Sequence, residues 1–351
     1  MENIENKIKI KAKELGYDNC GIIALDSFSE FSEEVERRLT LFPNASEFYS
    51  HMKALADVNK SFDWAKSIVV CSRKINNYKI PDNMDKYIGK SMLFDERVEH
   101  SPEQAMDRKF EEFFIDNGIK FASSKHNKDI MQHLVPERWA AAKAGLGKFR
   151  SNNFIYTENG SWINIKSWIL SEKLSADTVG ENFNHHCPHN CNKCVKACPT
   201  GALSAPYTMD ATKCIAFLIF NPDLPFNEEL LKKMGTHLYG CDACQNACPA
   251  NRNKWAEKEV FEEPYPIEDL MNLENLFMMS EKELLEKVYP RFFYIAKNNM
   301  WLWKFHAIRV MANENPIKYK KYFKLALEDS NPKIQQVAEW ALKKLSDNNT
   351  K

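Results

Sequence analysis

Eight of the ten cysteines lie between residues 187 and 248, in a pattern suited to binding metal or a cluster. Cys187-Pro-His-Asn-Cys191-Asn-Lys-Cys194-Val-Lys-Ala-Cys198-Pro199 ends in Cys-x2-Cys-x3-Cys-Pro, and Cys241-Asp-Ala-Cys244-Gln-Asn-Ala-Cys248-Pro249 repeats that ending. A cubane iron–sulfur cluster needs four thiolates. Two-residue gaps let one short loop wrap three of them, while the cysteine before proline serves the neighbouring cluster. By that crossing rule Cys187, Cys191, Cys194 and Cys248 hold one [4Fe–4S] cluster. Cys198, Cys241, Cys244 and a fourth ligand hold the second, and Cys214 is the nearby cysteine left to supply it. Structural zinc also uses four thiolates at two-residue spacings, but it does not call for the repeated Cys-Pro ending. Three residues separate Cys187 from Cys191 where the ferredoxin pattern has two, so His185, His186 or His189 is the alternative ligand there. Cys20 and Cys71 sit in strand-like apolar surroundings and read as small buried hydrophobes.

Several function classes are disfavoured by composition. Lys plus Arg and Asp plus Glu number 48 each over 351 residues, which argues against a globally basic binder of nucleic acid or membrane. The longest apolar runs fall far short of the ~20 residues that cross a bilayer. The first residues lack the basic and apolar regions of a secretory signal, so a soluble, cytoplasmic protein is expected, and cysteines there serve metal chemistry more often than disulfides.

The elements that must position the cysteines are legible as an α+β chain in three parts. Residues 1–175 alternate helical and extended patterns. Ile4, Ile8, Ala12 and Leu15 recur at helical spacing, while Cys20 to Leu25 and Ser67 to Ser72 read as strands. Ser101, Pro102 and Gln104 predict a capped helix start, and Asn117-Gly118 its end. Phe154 to Thr157 and Ile163 to Leu170 flank Glu158-Asn159-Gly160 and predict a hairpin. Residues 176–255 have little periodicity and are expected to be organised by bound metal. From 256 to 351 the pattern is helical. Leu302, Phe305, Ile308 and Val310 mark one helix, Ile317 to Leu327 a second, and Pro332 to Leu345 a third capped by Asn331. The last two read as a unit of a helical repeat.

The double Cys-Pro pattern, Pro199-Thr-Gly-Ala-Leu203, Pro206-Tyr207, Asp210-Ala211 before Lys213-Cys214, and Tyr239-Gly-Cys-Asp-Ala-Cys-Gln245 resemble the epoxyqueuosine reductase family. Upstream, Glu137-Arg138, Ala144-Gly-Leu-Gly147 and Gly160-Ser-Trp162 extend the likeness. The resemblance implies a cobalamin-dependent reductase related to reductive dehalogenases. Its amino-terminal α/β-sandwich domain, nitroreductase-like, would hold the corrinoid base-off, beside a ferredoxin-like double-cluster domain and a HEAT-like tail. The clusters would relay electrons, from an external donor of the flavodoxin or ferredoxin type, to cobalt. Arg138, Gly145, Leu146, Gly147, Gly160, Ser161 and Trp162 are the implied cofactor contacts.

This chain departs from the family pattern at three places. Met131 stands where the family has an aspartate proton donor, Lys148-Phe149-Arg150-Ser151 replaces aromatic-x-Gly-Lys, and Trp303-Lys304-Phe305 replaces the Leu-Arg-Asn of the tail. His133, Glu137 and Asp129 are the candidate substitute acids, His133 first because a histidine titrates near neutrality. The departures lead to the expectation of a small, unidentified substrate, with epoxyqueuosine in tRNA and a corrinoid-free electron-transfer role as the alternatives. Residues 289 to 351 carry twelve Lys or Arg against five acids, with Trp301, Trp303, Tyr319 and Tyr322 interleaved. That composition suits an RNA backbone contact or, more commonly, a solvated lysine face over a packed core.

Overall fold

Ser67-Ile-Val-Val-Cys-Ser72 is apolar at consecutive positions, as a strand covered on both faces must be. In the computed structural model, which describes residues 3–25, 28–98, 101–127, 130–177, 187–261 and 266–349, the strand Ser67–Lys74 runs antiparallel between Asn19–Ala24 and Ile163–Leu170. Phe121–Ser123 completes a four-stranded sheet on the far side of Ile163–Leu170.

Successive residues of a strand point to opposite faces, and the core divides accordingly. Ile22, Val69, Cys71, Trp168 and Leu170 pack on one side with Ile8 and Ala12 of the helix Ile4–Leu15 and Phe110 and Phe114 of Pro102–Asp116. Ile23, Ile68, Val70 and Ile169 pack on the other. They meet Phe31 and Val35 of Ser29–Leu41, Tyr49 of Ser46–Lys53, and Ala140 and Ala141 of Glu137–Lys143. Helices thus cover both faces of an antiparallel sheet. Cys20 and Cys71 are cross-strand neighbours and both are free thiols, Cys71 fully buried.

The helix start read at Ser101 is present: its hydroxyl accepts from the Gln104 backbone N–H at 3.2 Å, and Pro102 takes the first helical position. Gln104 does not return a side-chain bond to the Ser101 backbone N–H, as a capping box would require. Its side-chain amide donates instead to Arg97 O at 3.0 Å. Ser101→Ala is expected to lower stability by about 1 kcal/mol, read as a lower urea midpoint with an unchanged slope.

The predicted hairpin is absent. Ile163–Leu170 pairs along one edge with Ser67–Lys74 and at Trp168 to Leu170 with Phe121–Ser123, while Ile155–Tyr156 pairs with Lys148–Phe149 instead. What survives of the turn signal is a Thr157 to Gly160 bridge. Gly160 has a φ of +79°, and a Cβ there would lie 2.4 Å from Asn251 Oδ1.

The chain forms two compact units, and their division does not follow the linear boundaries near 175 and 255. One comprises Met1–Lys79, Phe94–Thr212 and Ala243–Phe261; the other comprises Ile80–Leu93, Lys213–Asp242 and Glu262–Lys351. In the second unit Trp301–Glu314 packs against Leu273–Met278 and Pro332–Asn349, and Lys320–Ala326 packs on Pro332–Asn349. Asn331 accepts from Lys333 N at 2.9 Å, as its capping position predicts. Trp303, Tyr319 and Tyr322 are buried, so those aromatics belong to the helical core. Arg309 is fully buried there, donating to the carbonyls of Gly235 and His237 and to His306 Nδ1, and burial pulls its guanidinium down to about 9. Among the described residues no helix is long and apolar enough to cross a membrane.

Candidate functional site

Within the first unit, each Cys-x2-Cys-x3-Cys-Pro run forms one short helix, Lys193–Ala197 and Ala243–Asn246, and the two helices pack on each other. Each run then leaves its helix at the cysteine before proline. Steric conflict with the proline ring drives that residue into extended backbone, and Cys198 (φ −71°, ψ 110°) and Cys248 (φ −77°, ψ 123°) both adopt it. The proline thereby swings the last thiol of each run out of the helical path.

The thiols of Cys187, Cys194 and Cys248 lie close enough to act on one another. Burial raises the Cys194 thiol, and the nearby Cys187 and Cys248 raise it further. Cys187 behaves oppositely. Burial pushes it up, but hydrogen bonds from the Ser151 side chain, the Ser151 backbone and Tyr207, with the charge of Arg150, hold it below the usual thiol range. Ser151 donates both its N–H, at 3.4 Å, and its hydroxyl, at 3.1 Å, to Cys187 Sγ. His189 is exposed on the adjoining turn, and His185 and His186 lie outside the described residues.

The segment after Ser151 braces the other run. Asn152 Nδ2 donates to Tyr156 Oη at 2.8 Å and to Cys244 O at 3.3 Å, and burial, then the nearby Cys248, pushes the Tyr156 phenol up. Ser161 donates its hydroxyl to Gln245 Oε1 at 2.7 Å and its N–H to Asn251 Oδ1 at 2.9 Å. Asn251 Nδ2 returns bonds to Ser161 Oγ and Gln245 O, each at 2.9 Å. Buried polar groups satisfied in this reciprocal way specify one arrangement of the loop. Trp162 packs edge-on against Trp255 with ring centroids 5.6 Å apart.

Cys214 and Cys241 belong to the second unit, where Cys214 precedes the helix Ile215–Phe220. Cys241 Sγ lies 3.6 Å from His237 Nε2. Burial, then the charge of Arg309, lowers that histidine to about 4, so it is neutral at physiological pH and able to donate one N–H.

A pocket of about 90 Å³ opens beside Ser151 in the first unit. Phe31, Val35, Met52, Trp139 and Phe149 form its apolar wall, and Glu34, Arg38, Arg138, Asn153 and Tyr207 its polar one. Arg38 donates to Asn153 Oδ1 at 2.8 Å and Arg138 to Asn153 O at 2.6 Å. Asn153 is held at a φ of +65°, and its buried Nδ2 has no hydrogen-bond acceptor. Such a donor is costly unless a ligand supplies one. The surrounding protein, then the charge of Arg38, pulls Arg138 down to about 10.

Other predicted residues are placed as follows. Asp129 lies outside the described residues. His133 is exposed, with Nδ1 3.5 Å from Glu137 Oε2, and Glu137 Oε1 is buried with no hydrogen-bond partner. Leu146 approaches Gly21, and Gly145 turns the chain at a φ of +73°. A Cβ on Gly147 would lie 2.7 Å from Ile155 and 2.8 Å from Tyr156 O, so a glycine is what lets these strands meet. Asn152, Asn153 and Tyr156 are site residues that the sequence did not single out, whereas Ser151 was marked by the departure at Lys148 to Ser151 and Tyr207 by the likeness at Pro206-Tyr207.

Residues 186–251 match the family model described as a 4Fe-4S double cluster binding domain, so two [4Fe–4S] clusters are the bound groups. An epoxyqueuosine reductase of Leadbetterella byssophila is 32% identical over 291 residues, 78% of this chain and 88% of that protein. One from Bacillus subtilis is 32% identical over 242 residues, 65% of this chain and 59% of that protein. The crystal structure of an epoxyqueuosine reductase with an epoxyqueuosine-modified tRNA stem loop superimposes at a TM-score of 0.79 and 25% identity, covering 97% of this chain and 90% of that one. With its double-cluster module and this likeness across most of its length, the chain belongs to the epoxyqueuosine reductase family of iron–sulfur oxidoreductases.

Proposed function

We propose that this protein reduces epoxyqueuosine in tRNA, drawing single electrons through its two clusters. The observation that carries this reading is the match, over nearly the whole chain, to a reductase that holds an epoxyqueuosine-modified tRNA stem loop. One cluster is assigned to Cys187, Cys191, Cys194 and Cys248, and the other to Cys198, Cys214, Cys241 and Cys244, fed by an external donor of the flavodoxin or ferredoxin type.

The pocket suits the edge of a corrinoid. Asn153 Nδ2 and the Arg138 guanidinium offer donors to its amide fringe, while Phe31, Val35, Met52, Trp139 and Phe149 offer an apolar face. A volume of about 90 Å³ encloses an edge and not a whole macrocycle. When bound, cobalamin would supply a low-potential cobalt centre for attack on the substrate. The chain's own residues orient the group, keep water from its apolar edge and deliver protons.

Reduction of an epoxide requires a proton as well as electrons, and Met131 cannot provide it. The His133–Glu137 pair stands two and six residues beyond that position, the carboxylate orienting the imidazole. Cobalamin-loaded protein given an epoxyqueuosine-containing tRNA stem loop and a reductant should turn over. His133→Ala and Glu137→Gln should each lower kcat by about 10²-fold or more, the usual worth of a positioned acid. Failure of the loaded wild-type protein to act on this RNA would reject the reading. Met131 itself favours a second reading, a small-molecule substrate that brings or needs no such acid, and a loaded protein that binds cobalamin yet leaves the RNA unchanged would favour it.

A further inference from the structure

Ser151 stands at one of the three departures from the family pattern, and neither electron relay nor proton delivery accounts for it. Its side chain is nearly inaccessible, at 2% exposure, yet its hydroxyl is not spent on a backbone carbonyl. It points at Cys187 Sγ at 3.1 Å, and the N–H of the same residue reaches the same sulfur at 3.4 Å. The residue is held from its other end as well, because Ser151 O accepts from Tyr207 N at 2.8 Å. Tyr207 sits at a φ of +60°, an unusual backbone for a bulky residue, and forms part of the pocket wall with Asn153. The sulfur that receives two donors and the pocket are thus separated by one short stretch of backbone.

Hydrogen bonds to a cluster's thiolate ligands stabilise the more negative, reduced state and so raise the reduction potential. We propose that Ser151 is a positioning residue that raises the reduction potential of the cluster held by Cys187, making that cluster a better acceptor of the electrons that enter the relay. This rests on Cys187 being a cluster ligand, as assigned above, and does not depend on the identity of the substrate. Tyr207 reinforces the arrangement by fixing the Ser151 peptide.

The test is an EPR-monitored redox titration of protein carrying both clusters, with iron and sulfide counted on the same sample. Ser151→Ala removes the hydroxyl bond and keeps the N–H bond. One midpoint should move to a lower value, by about a tenfold change in its reduction equilibrium, ~59 mV for one electron, while the other stays in place. Ser151→Thr, which keeps the hydroxyl, should restore the wild-type midpoint. In a Cys194→Ser background, where the affected cluster is missing, Ser151→Ala should leave the remaining midpoint unmoved. If Ser151→Ala shifts neither midpoint, or shifts both equally, the inference is overturned. Wild-type protein with iron and sulfide for fewer than two clusters would overturn the ligand assignment along with it. A shifted midpoint in a protein that does not reduce epoxyqueuosine would leave this inference standing and reject only the substrate.

Discussion

Cys194→Ser is expected to strip one cluster and spare the other, taking iron from about eight to about four atoms per chain and abolishing reductase turnover. Each cluster of the double-cluster domain needs a full set of thiolates, and the relay stops when either is missing. Cys248→Ser should have the same consequence, although Cys248 lies in the other run, because its backbone before Pro249 is extended and its thiol lies near enough to Cys194 to act on it. The decisive measurement is the double variant. If Cys194 and Cys248 serve one cluster, combining the substitutions removes no more iron than either alone, the non-additivity expected of residues that act as a unit. If each run instead held its own cluster, the double variant would lose both and iron would fall to near zero. Iron, sulfide and visible absorbance of anaerobically purified protein separate the two outcomes. They also distinguish clusters from zinc, which contributes neither sulfide nor colour.

Trp168→Ala should be the most damaging single change in the sheet layer, costing about 3–5 kcal/mol. The side chain is fully buried. Its ring meets Phe110 at 4.9 Å and Tyr17 at 5.9 Å, both edge-on, so truncation opens a cavity between the central strand and two helices that rigid neighbours cannot fill. Its indole Nε1 donates to Glu111 Oε1 at 3.3 Å, and that bond is lost too. The effect is checked by urea denaturation followed by far-UV circular dichroism. A midpoint within error of wild type would show that the layer repacks, contrary to this expectation.

The strands and helices that position the site were legible where the signal was local. Ser67 to Ser72 announced a strand by its apolar run, and Ser101-Pro102 announced a helix start by side-chain chemistry that acts within three residues. The hairpin expected around Glu158 to Gly160 was not legible correctly. Its turn residues are real, but strand partners are chosen by competition among all strands: Ser67–Lys74 pairs along the whole of Ile163–Leu170, and Ile155–Tyr156 goes to Lys148–Phe149. Gly160, Ser161 and Trp162 illustrate the same limit within the site. Their likeness to the family pattern marked them as important, while their partners, Asn251, Gln245 and Trp255, became visible only when the chain folded back over some 90 residues of sequence.

The cluster chemistry was determined by sequence alone, because thiolate count and the spacing of Cys-x2-Cys-x3-Cys-Pro act over a dozen residues, and the proline sets the backbone of its neighbour directly. The tertiary structure decided what surrounds those thiolates. Ser151 and Tyr207 meet at Cys187, Asn152 and Tyr156 reach the second run, and Asn153 is left with an unpaired donor in the pocket. None of these contacts follows from spacing along the chain. They arise where an apolar core, formed for reasons of burial, happens to bring polar side chains from distant segments to the same few sulfur atoms.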